Sequence, residues 1–236
     1  MENLVESMPM VALRGMTILP EMVVHFDVSR TRSVEAIQRA MQSKEQKIFV
    51  AAQRELNIEE PGQQDVYEVG TIAIVKQIAK MSKNVFRVLV VGEKRARLKN
   101  LREDVCLMAE VAEAEEEETE EKLSENAEAK NLQQLFFEYT VKHGKIPKDV
   151  IAQIAGVKSF RSLIYQIAAN VAMDYVNLQE ILEQDDLRER CQLLALKIAN
   201  EMAVLDLKED IQNKVKERME QHQREFILRE QLKVIR

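Results

Sequence analysis

Two periodicities divide this chain. From Met8 to Val111 apolar residues recur mainly at every second position, the spacing of a strand with one covered face. Short β-rich runs are predicted at 22–26, 47–52, 70–78, 84–91, 95–101 and 105–111, separated by turn material such as Glu60-Pro61-Gly62 and Gly92-Glu93. One helix interrupts them, with Ser33 as its N-cap and Val34, Ile37 and Met41 on one face. A compact sheet or partly closed barrel is the natural packing.

After Val111 the pattern changes. Glu113, Glu115, Glu116, Glu117, Glu118, Glu120 and Glu121 repel one another and cannot pack, so 113–127 reads as a solvated acidic joint. Beyond it apolar residues step by three and four. A helix over 128–142 carries Leu132, Leu135, Phe136 and Tyr139 and is broken by Gly144 and Pro147. Short helices follow at 149–155, at 159–171 with Phe160, Leu163, Ile164 and Ile167, and at 178–182. These make a small bundle over 128–186.

Residues 187–236 contain neither Gly nor Pro and read as one helix of uneven stickiness. Leu187, Cys191, Leu194, Ile198, Met202 and Leu205 form a stripe able to pack on a domain. Over 208–225 only Ile211, Val215 and Met219 are apolar, while Asp210/Lys214 and Glu220/Arg224 pair across one turn, as on a bare shaft in water. Phe226, Ile227, Leu228 and Leu232, with Val234 and Ile235, then make the end apolar again and are the candidates for docking a downstream partner. A helix with no stop signal suggests a chain that continues.

Composition narrows the chemistry. With 236 residues, 46% of them hydrophobic and 31% charged, the chain can bury one or two cores. A net charge of −6 argues against wholesale binding of nucleic acid or anionic membranes. No apolar run exceeds the five residues 48–52, and the acidic start lacks the basic and apolar regions of a signal peptide, which points to the cytoplasm. Cys106 and Cys191 stand far apart and read as small buried hydrophobes.

The six glycines are separated by 47, 8, 22, 52 and 12 positions. Phosphate loops, dinucleotide fingerprints and nucleophile elbows need gaps of about five, two and four, so none is present. His25, His143 and His222 fall in separate elements, and no metal cluster follows from spacing. His25 and Asp27 share a strand face, which could orient an imidazole, but no nucleophile accompanies them. No catalytic, cofactor-binding or metal residue is therefore expected.

Two surfaces stay open. Lys94, Arg95, Arg97, Lys99 and Arg102 form either a phosphate-binding face or, more plainly, an edge strand guarded by charge. Met8, Met10, Met16 and Met22 are either core filler or an adaptable apolar surface that contacts substrates.

The stretch Val11-Ala12-Leu13-Arg14-Gly15-Met16-Thr17-Ile18-Leu19-Pro20-Glu21-Met22-Val23, with Val28-Ser29-Arg30 and Ser33-Val34-Glu35-Ala36, resembles the opening of bacterial Lon proteases. At the other end Gln223-Arg224-Glu225-Phe226-Ile227-Leu228-Arg229-Glu230-Gln231-Leu232-Lys233-Val234-Ile235 resembles the segment running into the Lon ATPase module. Met8-Pro9-Met10-Val11 departs from the proline-rich start common in that family. The resemblance covers the whole chain and implies an α+β fold: a β-rich, pseudo-barrel substrate-binding lobe (1–112), the acidic joint (113–127), a helical bundle (128–186) and a long helix (187–236) leading to an ATPase module. It also implies a homohexameric, ATP-dependent serine protease that degrades misfolded and regulatory proteins in protein quality control and the stress response. ATP, magnesium and a serine-lysine dyad would belong to modules beyond Arg236. This region would capture unfolded substrates and help hold the ring together, without a membrane role. The alternatives are a stand-alone protein-binding adaptor, nucleic-acid binding through the basic strand, or an oligomerising coiled coil, the last weakened by the thin apolar seam over 208–225.

Overall fold

The computed structural model of the chain describes residues 5–114, 123 and 126–235. It is α+β. Strands β1 (Val5–Leu13), β2 (Val23–Val28), β3 (Lys47–Ala52), β4 (Val69–Lys80), β5 (Phe86–Glu103) and β6 (Leu107–Glu113) build the first lobe, with helix α1 (Thr31–Gln42) between β2 and β3. Helices α2 (Ala127–His143), α3 (Lys148–Ala155), α4 (Phe160–Asn170), α5 (Tyr175–Glu183) and α6 (Leu187–Ile235) follow.

The sheet order is β2-β5-β4-β3-β1-β6, and β6 also pairs β5, which closes β5, β4, β3, β1 and β6 into a ring. Only the β1/β3 pair is parallel among the described pairings. The pseudo-barrel is closed because β5 is long enough to be shared: its first half pairs β2 and its second half pairs β6. The sequence reading split β5 at Gly92-Glu93, and this is corrected here. Ala73 faces Gly92 and Ile72 faces Lys94, so Glu93 is the extra residue of a bulge that bends one continuous strand. Glycine is needed there for approach, since a Cβ on Gly92 would lie 2.2 Å from the Leu19 carbonyl oxygen.

Strands β1 and β3 bury both faces. Met8, Met10, Ala12, Phe49 and Ala51 fill one cluster with Ile72, Leu98 and Ala109. On the opposite faces Val11, Leu13, Ile48 and Val50 pack under Ala36, Ile37 and Ala40 of α1. That helix starts at Thr31, with Arg30 as an N-cap whose side chain makes no capping bond, so Ser33 is not its cap.

The helical lobe is punctuated by local chemistry. Side chains of Asn126, Ser159 and Asp174 accept from the amides of Ala129, Ser162 and Asn177, at 2.9, 3.3 and 2.8 Å, and Gly144 ends α2 in the left-handed region. Leu132, Phe136, Leu163, Ile164, Ile181, Leu194 and Ile198 form its core. Of α6, the turns bearing Leu187, Cys191, Leu194 and Ile198 are seated in that core, and Met202 and Leu205 pack at its margin. From Asp206 onward every described residue of the helix is exposed. The last tie among the described residues is Lys142, whose ammonium contacts both Asp206 carboxylate oxygens at 2.7 and 2.6 Å.

The two lobes are bound to each other. Leu19 and Val69 belong to the helical core, the buried Gln179 amide donates to the Val69 carbonyl at 2.9 Å, and Thr17 donates to the Tyr175 carbonyl at 2.9 Å. Glu21, with φ at 66°, accepts from the Ser162 hydroxyl and, at 3.1 Å, from Gln166. The expected acidic run Glu115 to Glu118, Glu120 and Glu121 lies outside the described residues.

Candidate functional site

The structure separates the residues that the sequence had grouped. Met8 and Met10 are 5% and 0% exposed and fill the barrel cluster, which overturns them as substrate contacts: β1 buries both faces, so its methionines are core. Met16 and Met22 are half-buried and pack from outside onto the cluster under α1. The four do not form one exposed patch.

The basic strand is also corrected. β5 is flanked on both sides and is no edge. Arg95 is buried and paired with Asp185, which Arg97 also engages. Lys94 meets Glu113 at 3.0 Å and Arg102 meets Glu110. Four of the five cations thus already face carboxylates of the chain itself, which disfavours a nucleic-acid face.

Asp27 does not orient His25. It takes two bonds from Arg87 at 2.8 and 2.9 Å, and the Arg87 hydrogen bond holds its carboxyl below the usual carboxylate range. Both cysteines are buried thiols, with burial pushing Cys191 up to about 12 and Cys106 upward as well. Among the described residues no group of acidic, His or Cys side chains could hold a metal ion, and no helix is long and apolar enough to cross a membrane.

Two exposed features remain. The first is apolar: Phe137 and Val141, one turn apart on α2, are 57% and 68% exposed, and Phe226, Ile227, Leu228 and Leu232 at the far end of α6 are all exposed. The second is a cleft of about 480 Å³ between β1, β2 and the start of α1, lined in part by Leu13, Arg14, Met16, Phe26 and Arg30. It adjoins a second cleft of about 420 Å³ that shares Arg14 and Arg30. Gly15, with φ at 66°, turns the chain just after Arg14. Sequence reasoning quoted both arginines and gave them no role, because only the fold brings them together.

A closed β-lobe clamped to a helical lobe places the chain among two-lobed α+β domains. Residues 7–200 match the family described as the ATP-dependent protease La (LON) substrate-binding domain, and the chain belongs to that family. Lon protease of Lachnoclostridium phytofermentans is 38% identical over 238 residues, covering 100% of this chain and 29% of the relative. Lon protease 1 of Bacillus subtilis is 32% identical, covering 99% of this chain and 30% of the relative. The chain therefore spans less than a third of the length of these curated relatives. Its fold is shared with the N-terminal domain of a Mycobacterium avium complex Lon protease, at TM-score 0.64 and 20% identity, covering 82% of this chain and 98% of that one. A Lon N-terminal domain protein from Xanthomonas campestris matches at TM-score 0.58 and 15% identity, covering 80% of this chain and 96% of that one.

Proposed function

We propose that this chain is the substrate-recognition and assembly region of an ATP-dependent serine protease of the Lon type, which degrades misfolded and regulatory proteins in the cytoplasm as a homohexamer. The match of residues 7–200 to a substrate-binding domain family carries the reading. Serine-lysine chemistry, ATP and magnesium would reside in the part of the relatives that this chain does not span. The region itself works by binding. Unfolded segments display apolar side chains that folded proteins hide, so weak contacts with exposed groups such as Phe137 and Val141 discriminate between the two states.

Helix α6 supports the assembly half of the proposal. Its exposed stretch, residues 206–235, reaches about 45 Å at about 1.5 Å of rise each, enough to hold both lobes away from a translocating ring. Phe226, Ile227, Leu228 and Leu232 would dock onto the downstream module. A stand-alone adaptor is the less favoured reading, since relatives matched along this whole chain extend well beyond it.

The test is a pull-down or anisotropy titration of this chain against one globular protein in two states, native and reduced-and-carboxymethylated. Binding of the unfolded state alone is expected. Equal binding of both states, or of neither, overturns the proposal.

A further inference from the structure

The cleft over Arg14 and Arg30 has a charge character that apolar capture leaves unused. The two guanidinium groups come from different elements, the end of β1 and the N-cap of α1, and both donate to one carbonyl, that of Ile58, at 3.4 and 3.2 Å. Arg30 is fixed further by the side chain of Gln53 at 2.9 Å, and Gln53 is itself fully buried and bonded to Ile58 at 2.9 Å. Two like charges are thus held side by side by neutral acceptors. Each guanidinium carries five N–H donors, so this clamp leaves several aimed elsewhere.

Carboxylates around the cleft do not cancel the pair. Arg32, at the rim, is matched by Glu60 at 3.5 Å and Glu103 at 3.1 Å. Arg87 is matched by Asp27. Glu59 lies near Arg30 and favours its charge, but burial and the neighbouring Arg14 outweigh it, and the net shift of Arg30 is downward. An added anion relieves that repulsion. The first turn of α1 contains no acidic residue and its cap side chain makes no bond, so the helix adds a favourable potential in the same place. Beside the arginines the lining is mixed, with apolar Leu13, Met16 and Phe26 next to polar His25, Ser29 and Ser33.

We infer that this cleft is a subsite for carboxylate-bearing polypeptide segments, gripping an Asp, Glu or chain-terminal carboxylate between Arg14 and Arg30 while an adjacent apolar side chain rests against Met16. This rests on the capture reading above and specifies the class of segment captured. A guanidinium fork matches a planar carboxylate in two-point geometry, and the partly buried setting of Arg30 limits screening by solvent. Purely apolar segments would bind this face less well than segments in which an acidic residue flanks an apolar one.

The experiment titrates the intact chain with fluorescent unstructured peptides that share one apolar core. One carries two flanking glutamates, one carries glutamines instead, and each is made with a free and an amidated carboxyl terminus. The glutamate peptide is expected to bind roughly tenfold tighter than its glutamine isostere, as one charge-assisted contact implies. Arg14→Gln should bring the two within about twofold, chiefly by weakening the glutamate peptide. Arg14 is exposed, so this variant keeps the fold even if Arg30→Gln, which breaks the Gln53 and Ile58 bonds, does not. A preference that follows the free terminus and vanishes on amidation also supports the subsite and identifies the terminal carboxylate as its ligand. Equal binding of all peptides, or a preference that survives Arg14→Gln, overturns this inference while leaving apolar capture standing. Failure of every peptide to bind, with no binding of the carboxymethylated protein either, overturns both.

Discussion

Leu194 and Leu228 test the division of α6 into a seated base and an exposed end, because they are the same residue in the same helix at 0% and 58% exposure. Replacing either by Ala removes three carbons. At about 0.8 kcal/mol for each buried carbon, Leu194→Ala forfeits about 2.4 kcal/mol of transfer energy. The void left among Leu132, Phe136 and Ile164 adds to this, for a total of about 3 to 4 kcal/mol. For a chain of this size that lowers the melting temperature by about 6 to 16 °C. Leu228→Ala opens no void and replaces one good helix former by another, so the change stays within about 0.5 kcal/mol. Urea and thermal unfolding followed by far-ultraviolet circular dichroism measure both. Comparable losses for the two variants would refute the division, as would a Leu194→Ala variant as stable as the parent.

Four further outcomes are expected. Ile227→Asp leaves the melting temperature of this chain nearly unchanged yet impairs coupling in a full-length protein, read as ATP-dependent degradation of an unfolded substrate. Gly92→Ala drives a Cβ toward the Leu19 carbonyl and lowers stability by about 1 to 3 kcal/mol in urea titration. Asp185→Asn weakens the partner of buried Arg95; because Asp185 itself is 65% exposed, about 1 to 3 kcal/mol is expected, with faster limited proteolysis between the lobes. Cys191 stays protonated up to about pH 12 in the folded chain, whereas the unfolded thiol ionises near its ordinary value, so its contribution is complete below about pH 8.5 and fades as pH rises from there toward 12. Cys191→Ala should therefore flatten part of the alkaline fall in melting temperature, and iodoacetamide should label the native thiols only after denaturant is added.

Much of the architecture was legible where local chemistry and tertiary packing agree. β3 was read to the residue because an unbroken apolar run fits a strand covered on both faces, and α2 to within one residue at each end because Gly144 supplies the left-handed stop it needs. β5 was misread because Gly92 usually signals a turn, whereas here it clears space for Leu19, in a crossing loop 73 positions away in sequence. The start of α1 was misplaced because Ser33 has the right chemistry for a cap while Arg30 occupies the position with none. Exposure was the least legible property. The methionines of β1 and Arg95 of β5 are buried by partners far along the chain, Asp185 standing 90 residues beyond Arg95. The Arg14/Arg30 pair exists only because both reach the carbonyl of Ile58.

Beyond Asp206, which Lys142 still holds, every described residue of α6 is exposed, while Leu194 and Ile198 are gripped at the root. Such a rod multiplies angle into distance. Over about 45 Å of free length, at about 1.5 Å per residue, a tilt of about 10° at the root sweeps the far end through about 8 Å. Small repacking among Leu132, Phe136 and Leu194 is thereby converted into a displacement larger than the width of an extended peptide, and motion imposed at the far end returns to the root demagnified, as force.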